Sequence, residues 1–258
     1  MAWIIAGLPF WWAMPLPLGI LMIFLFTLEH ETVHGTPFAS LWVNRIIGLA
    51  CGALLLIPFT WFRFFHIAHH KHTNDPDNDP ELEGGKPETP AQYIWHVSGI
   101  PVWWAMIKKI MVQSKGRAAE VYLPPEREPR VVLEARLHLA GYTFLGLLLV
   151  VGQTWVFWCW ILPLILGQPF LRLYLLAEHG RCPPVANMFE NTRTTYTAAA
   201  VRFIAWNMPF HAEHHTFPAV PFWKLPKLNA LMADRLKATS DGYAEFHRDY
   251  VEDMHRAP

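Results

Sequence analysis

Three short histidine clusters carry most of the chemistry this sequence can do. FHAEHHTFP holds His211, His214 and His215, FHIAHHKHT holds His66, His69 and His70, and LEHETVHG holds His30 and His34. On a helix, positions i, i+3 and i+4 share a face, so each H-x-x-H-H run is expected to aim three imidazoles at one point; His30 and His34 would do the same with two. Neutral imidazole is the commonest nitrogen ligand for zinc, copper, iron and nickel. Of the 14 histidines in the chain, eight lie in these clusters, a concentration that metal binding explains and chance does not. His96, His138, His247 and His255 belong to no cluster and read as structural or solvent-facing. His72, displaced around the helix from His66, is left out of the ligand set.

The elements that must position these residues are apolar. Hydrophobic residues make up 53% of the 258, aromatics 14% and charged residues only 16%, with 13 Trp, whereas soluble domains carry about a quarter charged residues. This composition describes one membrane-embedded domain, residues 1–258, with water-exposed parts. A formal net charge of zero gives no case for a nucleic-acid partner. Cys51, Cys159 and Cys182 are far apart and form no C-x-x-C pair, which disfavours both a disulfide framework and a thiolate metal site.

Spans are expected at about 3–28, 137–156 and 157–177, each near the roughly 20 residues a bilayer crossing needs. The last two form a hairpin that returns to the side it left and delivers Glu178 and His179 there. Residues 41–61 are also apolar. If they crossed fully, the first two clusters would lie on opposite faces, so the segment is read as re-entrant or interfacial. The amphipathic 93–112 suits a helix lying in the interface. A water-exposed cap then comprises 62–92, 113–136 and 178–258, its final stretch a charged, water-exposed helix. Lys and Arg concentrate on the histidine side, among them Arg63, Lys71, Lys108 and Lys109. The positive-inside rule makes that face cytoplasmic. A signal peptide at the N-terminus is disfavoured by the missing basic n-region. The polar loop TNDPDNDPELEGGKPETP lacks EF-hand spacing and reads as solvated turns. A role for its aspartates as acceptors behind the neighbouring histidines stays open.

HETVH, HIAHH and FHAEHHTFP, in this order and on one face, resemble the three histidine boxes of the membrane fatty acid desaturase and hydroxylase superfamily. HHKHTNDPDNDPE and HHTFPAVPFWKLP resemble the segments after its second and third boxes. EHG, with His179, resembles the lone histidine placed between them. The resemblance runs from about Leu28 to Leu228. It implies an all-α integral membrane bundle with interfacial helices and a histidine-rich di-iron cap. The implied ligands are His30, His34, His66, His69, His70, His179, His211, His214 and His215, holding two Fe ions with O2 as co-substrate. It also implies a lipid or acyl-chain substrate among membrane lipids. Two departures stand out: the stretch before the first box is short, so a family helix is expected to be missing or reduced, and no electron-carrier segment is fused. Electrons are therefore expected from a separate ferredoxin, rubredoxin or cytochrome b5-like donor with its reductase.

Imidazole alone leaves zinc and copper open; the resemblance selects iron. Candidate acceptors for the outer ring nitrogens are Glu29, Glu31, Glu178, Glu213, Asp75, Asn191 and Asn207, each also readable as an ordinary surface or capping residue. A direct carboxylate ligand from Glu31 or Glu213 is the less favoured reading. The expected activity is an O2-dependent desaturase that introduces a double bond into an alkyl chain. The alternative on the same scaffold is a hydroxylase or ketolase of an alkane, fatty acid or carotenoid. A non-catalytic metal or haem carrier is disfavoured, because transporters place ligands at mid-span and haem needs one or two axial histidines.

Overall fold

The computed structural model describes residues 1–256, and it is helical almost throughout. A first turn, α1 (Ala2–Ile5), leads into α2 (Pro15–Ile23) and α3 (Leu25–His34). The apolar stretch Trp11–His34 is long enough to cross a bilayer, and it ends on the first histidine pair. Gly35, at φ 72°, closes α3 in the left-handed conformation that glycine adopts without steric cost. Ser40 then caps α4 (Leu41–Leu55) by accepting from Val43 N.

Between α4 and α5 (Phe59–His72) the chain bends by 100°. Leu56 takes a left-handed conformation at φ 63°, and Pro58 starts the new helix where no amide donor is needed. The bend is tight because α4 is small on its inner face. A side chain at Gly48 would meet the Phe59 ring, and one at Gly52 would meet the Ile57 carbonyl and the Glu29 carboxylate. As a result α5 lies across the end of α3 with its histidines beside His30 and His34.

Helices α6 (Pro90–Val97) and α7 (Ile100–Ser114) precede α8 (Glu128–Val150). A π-helical turn, Phe157–Ile161, then opens α9 (Leu162–His179). Pro125–Val150 and Phe157–His179 are the other two stretches long and apolar enough to span a membrane. Helix α9 packs on α2 with almost no side chain between them: a Cβ on Gly19 would overlap the Pro163 carbonyl, and one on Gly167 would overlap the Gly19 backbone. Small residues let membrane helices approach this closely and gain backbone-to-backbone van der Waals contact. That contact fixes His179, at the end of α9, relative to the α2–α3 unit.

After α9 come α10 (Met188–Asn191), α11 (Ala199–Ile204), the short α12 (His211–Thr216), α13 (Leu225–Met232) and α14 (Tyr243–Arg256). Two two-residue strands, β1 (Thr194–Thr195) and β2 (Thr239–Ser240), pair in parallel. The expectation of a water-exposed final helix holds for only one side of α14. Phe246, Tyr250 and Met254 recur every fourth residue and are buried against Leu176 and Ala177 of α9.

Candidate metal centre

The nine histidines singled out from the sequence come together, in two groups. His30 and His34 of α3, His66 and His70 of α5 and His214 of α12 offer nitrogens within 4.8 Å of one another; His69 of α5, His179 of α9 and His211 and His215 of α12 form the second such group. The expectation that each H-x-x-H-H run aims at one point is corrected here. Both runs divide: the i+3 imidazole goes to one group and the i, i+4 pair to the other, because α5 and α12 pass between the two groups. His70 and His215 stack where the groups meet, their ring centroids 4.0 Å apart at 4°.

The outer nitrogens show how the rings are aimed. His69 Nδ1 lies 2.9 and 3.0 Å from the two Asp79 oxygens. His179 Nδ1 donates to the Asn191 carbonyl at 3.1 Å, and His215 Nδ1 pairs with the Thr73 hydroxyl at 3.1 Å. His211 Nδ1 is 3.2 Å from Glu178 Oε1, and His214 Nδ1 is 3.6 Å from Glu31 Oε1. An acceptor on Nδ1 fixes the proton there and leaves the Nε2 lone pair free to ligate.

The inner nitrogens point at each other. His34 and His66 Nε2 are 2.9 Å apart, His69 and His179 Nε2 3.2 Å, and His179 and His211 Nε2 3.1 Å. Buried nitrogens of His30, His70, His211, His214 and His215 have no hydrogen-bond partner. Leaving such groups unsatisfied costs about 1–3 kcal/mol each, and facing lone pairs repel. A cation at each centre would relieve the repulsion and give one nitrogen of each ring a partner, so the donor set fits two metal ions bound by imidazole nitrogen. Burial also pushes His211, His214 and His215 well below the usual histidine range, which keeps them in the neutral, ligating form.

Among the expected acceptors, Glu31 and Glu178 face the rings, and Asn191 does so through its main-chain carbonyl. Glu213 turns away, accepting from Thr194 Oγ1 at 2.6 Å and from Asn229 Nδ2 at 2.5 Å. Glu31 also accepts from Thr36 Oγ1 and Phe222 N, tying the loop after the third box to α3. Glu29 is buried without a partner. Asp75 accepts from Asp77 N and Asn78 Nδ2 within its own loop. Asn207 sits in a left-handed turn at φ 55°. Asp79 is the one loop aspartate that takes up the acceptor role left open for them, and Thr73 is an acceptor that no sequence signal marked. The remaining histidines stay apart. His247 bridges Tyr93 and the Leu173 carbonyl, His138 lies 3.9 Å from Glu134, and His72 lies 3.8 Å from Asp75. His96 is half-buried and His255 exposed.

The profile of the fatty acid desaturase family matches residues 8–247, and the chain belongs to that family of membrane oxidoreductases. Its relatives are distant and chemically varied. It is 24% identical over 260 residues to dihydrorhizobitoxine desaturase of Bradyrhizobium elkanii, covering 91% of this chain and 70% of that protein. To zeaxanthin 4-ketolase of Chlamydomonas reinhardtii it is 24% identical over 218 residues, covering 79% and 40%. To the sn-1 acyl-lipid omega-3 desaturase (ferredoxin) of Nostoc sp. (strain 36) it is 24% identical over 248 residues, covering 85% and 65%. The chain thus spans less than two thirds of the length of the last two.

Proposed function

We propose that this chain is an O2-dependent di-iron desaturase of lipid-borne acyl chains, with the nine clustered histidines as its metal ligands. One observation carries the reading: five and four imidazoles converge on two adjoining points, with inner nitrogens facing each other and outer nitrogens backed by acceptors. Iron bound at both points would supply, with O2, the oxidising power that an unactivated C–H bond demands and no side chain offers. The protein's own part is placement. Asp79, Thr73, Glu178 and the Asn191 carbonyl hold the rings of the four-histidine group, and the buried setting keeps water away. The spans near 3–28, 137–156 and 157–177 anchor the catalytic cap at the cytoplasmic face, where a separate ferredoxin, rubredoxin or cytochrome b5-like protein delivers electrons. The ferredoxin-dependent relative supports a donor of that kind.

A second reading, hydroxylation or ketone formation on the same scaffold, is favoured by the ketolase relative. Products separate the two. Purified protein with a reducing system, 18O2 and a lipid substrate yields an unlabelled alkene if it desaturates, and a labelled alcohol or ketone if it oxygenates. Metal analysis with Mössbauer spectroscopy of the purified protein tests the site itself. Two coupled irons per chain support it, and zinc alone overturns it.

A further inference from the structure

Between the α6–α7 pair and α9 lies a cavity of about 540 Å3 whose wall includes none of the nine clustered histidines. Arg172 of α9 and His96 of α6 stand on that wall, and each has a buried nitrogen without a hydrogen-bond partner, Nε of Arg172 and Nε2 of His96. We infer that this cavity binds the head of an anionic membrane lipid, an oxyanion on an acyl chain, with Arg172 as the residue that receives it. The inference stands apart from the metals and from the reaction proposed above.

The argument starts from charge. Arg172 lies within the span Phe157–His179, yet it forms no ion pair among the described residues. The carboxylates around it are turned elsewhere: Glu88 pairs with Arg181 at 3.0 Å, Glu81 lies 3.0 Å from His69, and Glu178, further along α9, lies 3.2 Å from His211. Lys86, the other cation on the wall, is committed to Asn74 Oδ1 and the His179 carbonyl at 3.1 and 2.9 Å. With Glu88 set against Arg181, the wall carries Lys86 and Arg172 against Glu81 alone, an excess of positive charge. A cation held in a span without a counter-ion is costly, and such residues mark places where a ligand supplies the missing charge. The guanidinium fork matches phosphate or carboxylate oxygens two at a time.

The rest of the wall calls for an oxyanion that carries a chain. Trp95, Val102, Leu175 and Leu176 give the cavity an apolar side. Ile165, Gln168, Arg172 and Leu176 recur at helical spacing and so share one face of α9. Ile165 and Gln168 line a second recess of about 340 Å3 with Trp103, Trp104 and Ile107 of α7. That recess lies toward the start of α9, away from His179 and toward the membrane interior. Trp95 and Trp104 are 53% and 69% exposed, and exposed tryptophan sits at headgroup level in membrane proteins. Arg172 precedes His179 by seven residues, about 10 Å of helix. A head held there lies beneath the histidine cap, and its chain runs along the apolar recess into the bilayer.

Delipidated protein in detergent, titrated with phosphatidylglycerol, oleate or uncharged diacylglycerol and read by native mass spectrometry, tests this without turnover. The native chain is expected to hold one equivalent of an anionic lipid more tightly than diacylglycerol. Tighter phosphatidylglycerol assigns the head as a phosphodiester, and tighter oleate assigns it as a carboxylate. Arg172→Gln is expected to weaken that lipid by about tenfold or more, with Arg172→Lys, which keeps the charge and loses the fork, falling between. Since the guanidinium has no partner within the chain, Arg172→Gln should not lower the Tm of the lipid-free protein. Ala105→Trp narrows the cavity without touching its charge and should weaken the same lipid, while Arg117→Gln, at an exposed arginine outside it, should behave as native. Diacylglycerol binding as tightly as both anionic lipids overturns the inference, and so does undiminished anionic-lipid binding in Arg172→Gln or Ala105→Trp. Weaker binding in Arg172→Gln accompanied by a lower lipid-free Tm, with Ala105→Trp native-like, would mark a structural arginine and overturn it as well.

Discussion

The two histidine groups are built from overlapping helices and differ in what stands behind the rings. In the four-imidazole group three outer nitrogens are hydrogen-bonded, to Asp79, the Asn191 carbonyl and Thr73, and the fourth, His211 Nδ1, lies 3.2 Å from Glu178 Oε1. In the five-imidazole group only His214 approaches an acidic oxygen, at 3.6 Å, and neither nitrogen of His30 or His70 has a hydrogen-bond partner. Its rings are held by one another, with His30 and His66 centroids 4.2 Å apart and His34 and His70 4.7 Å apart. Hydrogen bonds to fixed acceptors orient a ring before any metal arrives, whereas ring packing leaves it free to tilt until a metal gathers the lone pairs. The four-imidazole group is therefore preorganised and the five-imidazole group is shaped by its ion.

The largest test removes one ligand from each group at once. His214→Ala with His215→Ala should reduce bound iron from about two ions per chain to near zero and activity to background, since metal affinity depends on the assembled set. Metal analysis of the purified variant reads this directly. Full iron occupancy would break the assignment of both groups.

A smaller change sharpens the difference between them. Asp79→Ala frees the His69 ring and should weaken one metal by about 10–100-fold while sparing the other. Glu31→Gln, acting across the longer contact to His214, should cost less than that at the opposite site. Competition between each variant and a chelator for Co2+ gives both affinities. Equal losses at both sites in Asp79→Ala would show that the groups do not differ in the way proposed.

Next in size is a change remote from the rings. Gly19→Ala inserts a methyl group where the Pro163 carbonyl lies, and overpacking of this kind costs about 1–3 kcal/mol. Thermal unfolding in detergent should shift down accordingly. Because α2 leads into α3, which bears His30 and His34, and α9 ends on His179, the shift should come with looser binding at both metals.

Much of this arrangement was legible before any coordinates. Metal binding demands one residue type at helical spacing, so the boxes stand out as few core features do, and long apolar runs announce spans. The division of each H-x-x-H-H run was not legible, since whether His214 joins His211 or His30 depends on where α12 lies between α3 and α9. The loop's aspartates were open as acceptors behind the histidines, but nothing in the sequence told them apart: Asp79 reaches His69 from a turn with no periodicity, while Asp75, nearer in sequence, spends its oxygens on its own loop. Phe246, Tyr250 and Met254 did carry a helical period. The charged residues between them masked it, and with it the buried face of α14.

The smallest effect concerns the other carboxylate beside a box. Glu213 lies between His211 and His214 in sequence, yet its oxygens accept from Thr194 and Asn229. These bonds fasten the third box to β1 and α13 on the side away from the metals. Glu213→Gln keeps one acceptor and should cost roughly 1 kcal/mol of stability, leaving both Co2+ affinities unchanged. A variant at 213 that loses a metal would show instead that this carboxylate reaches the metals, against the contacts to Thr194 and Asn229 seen here.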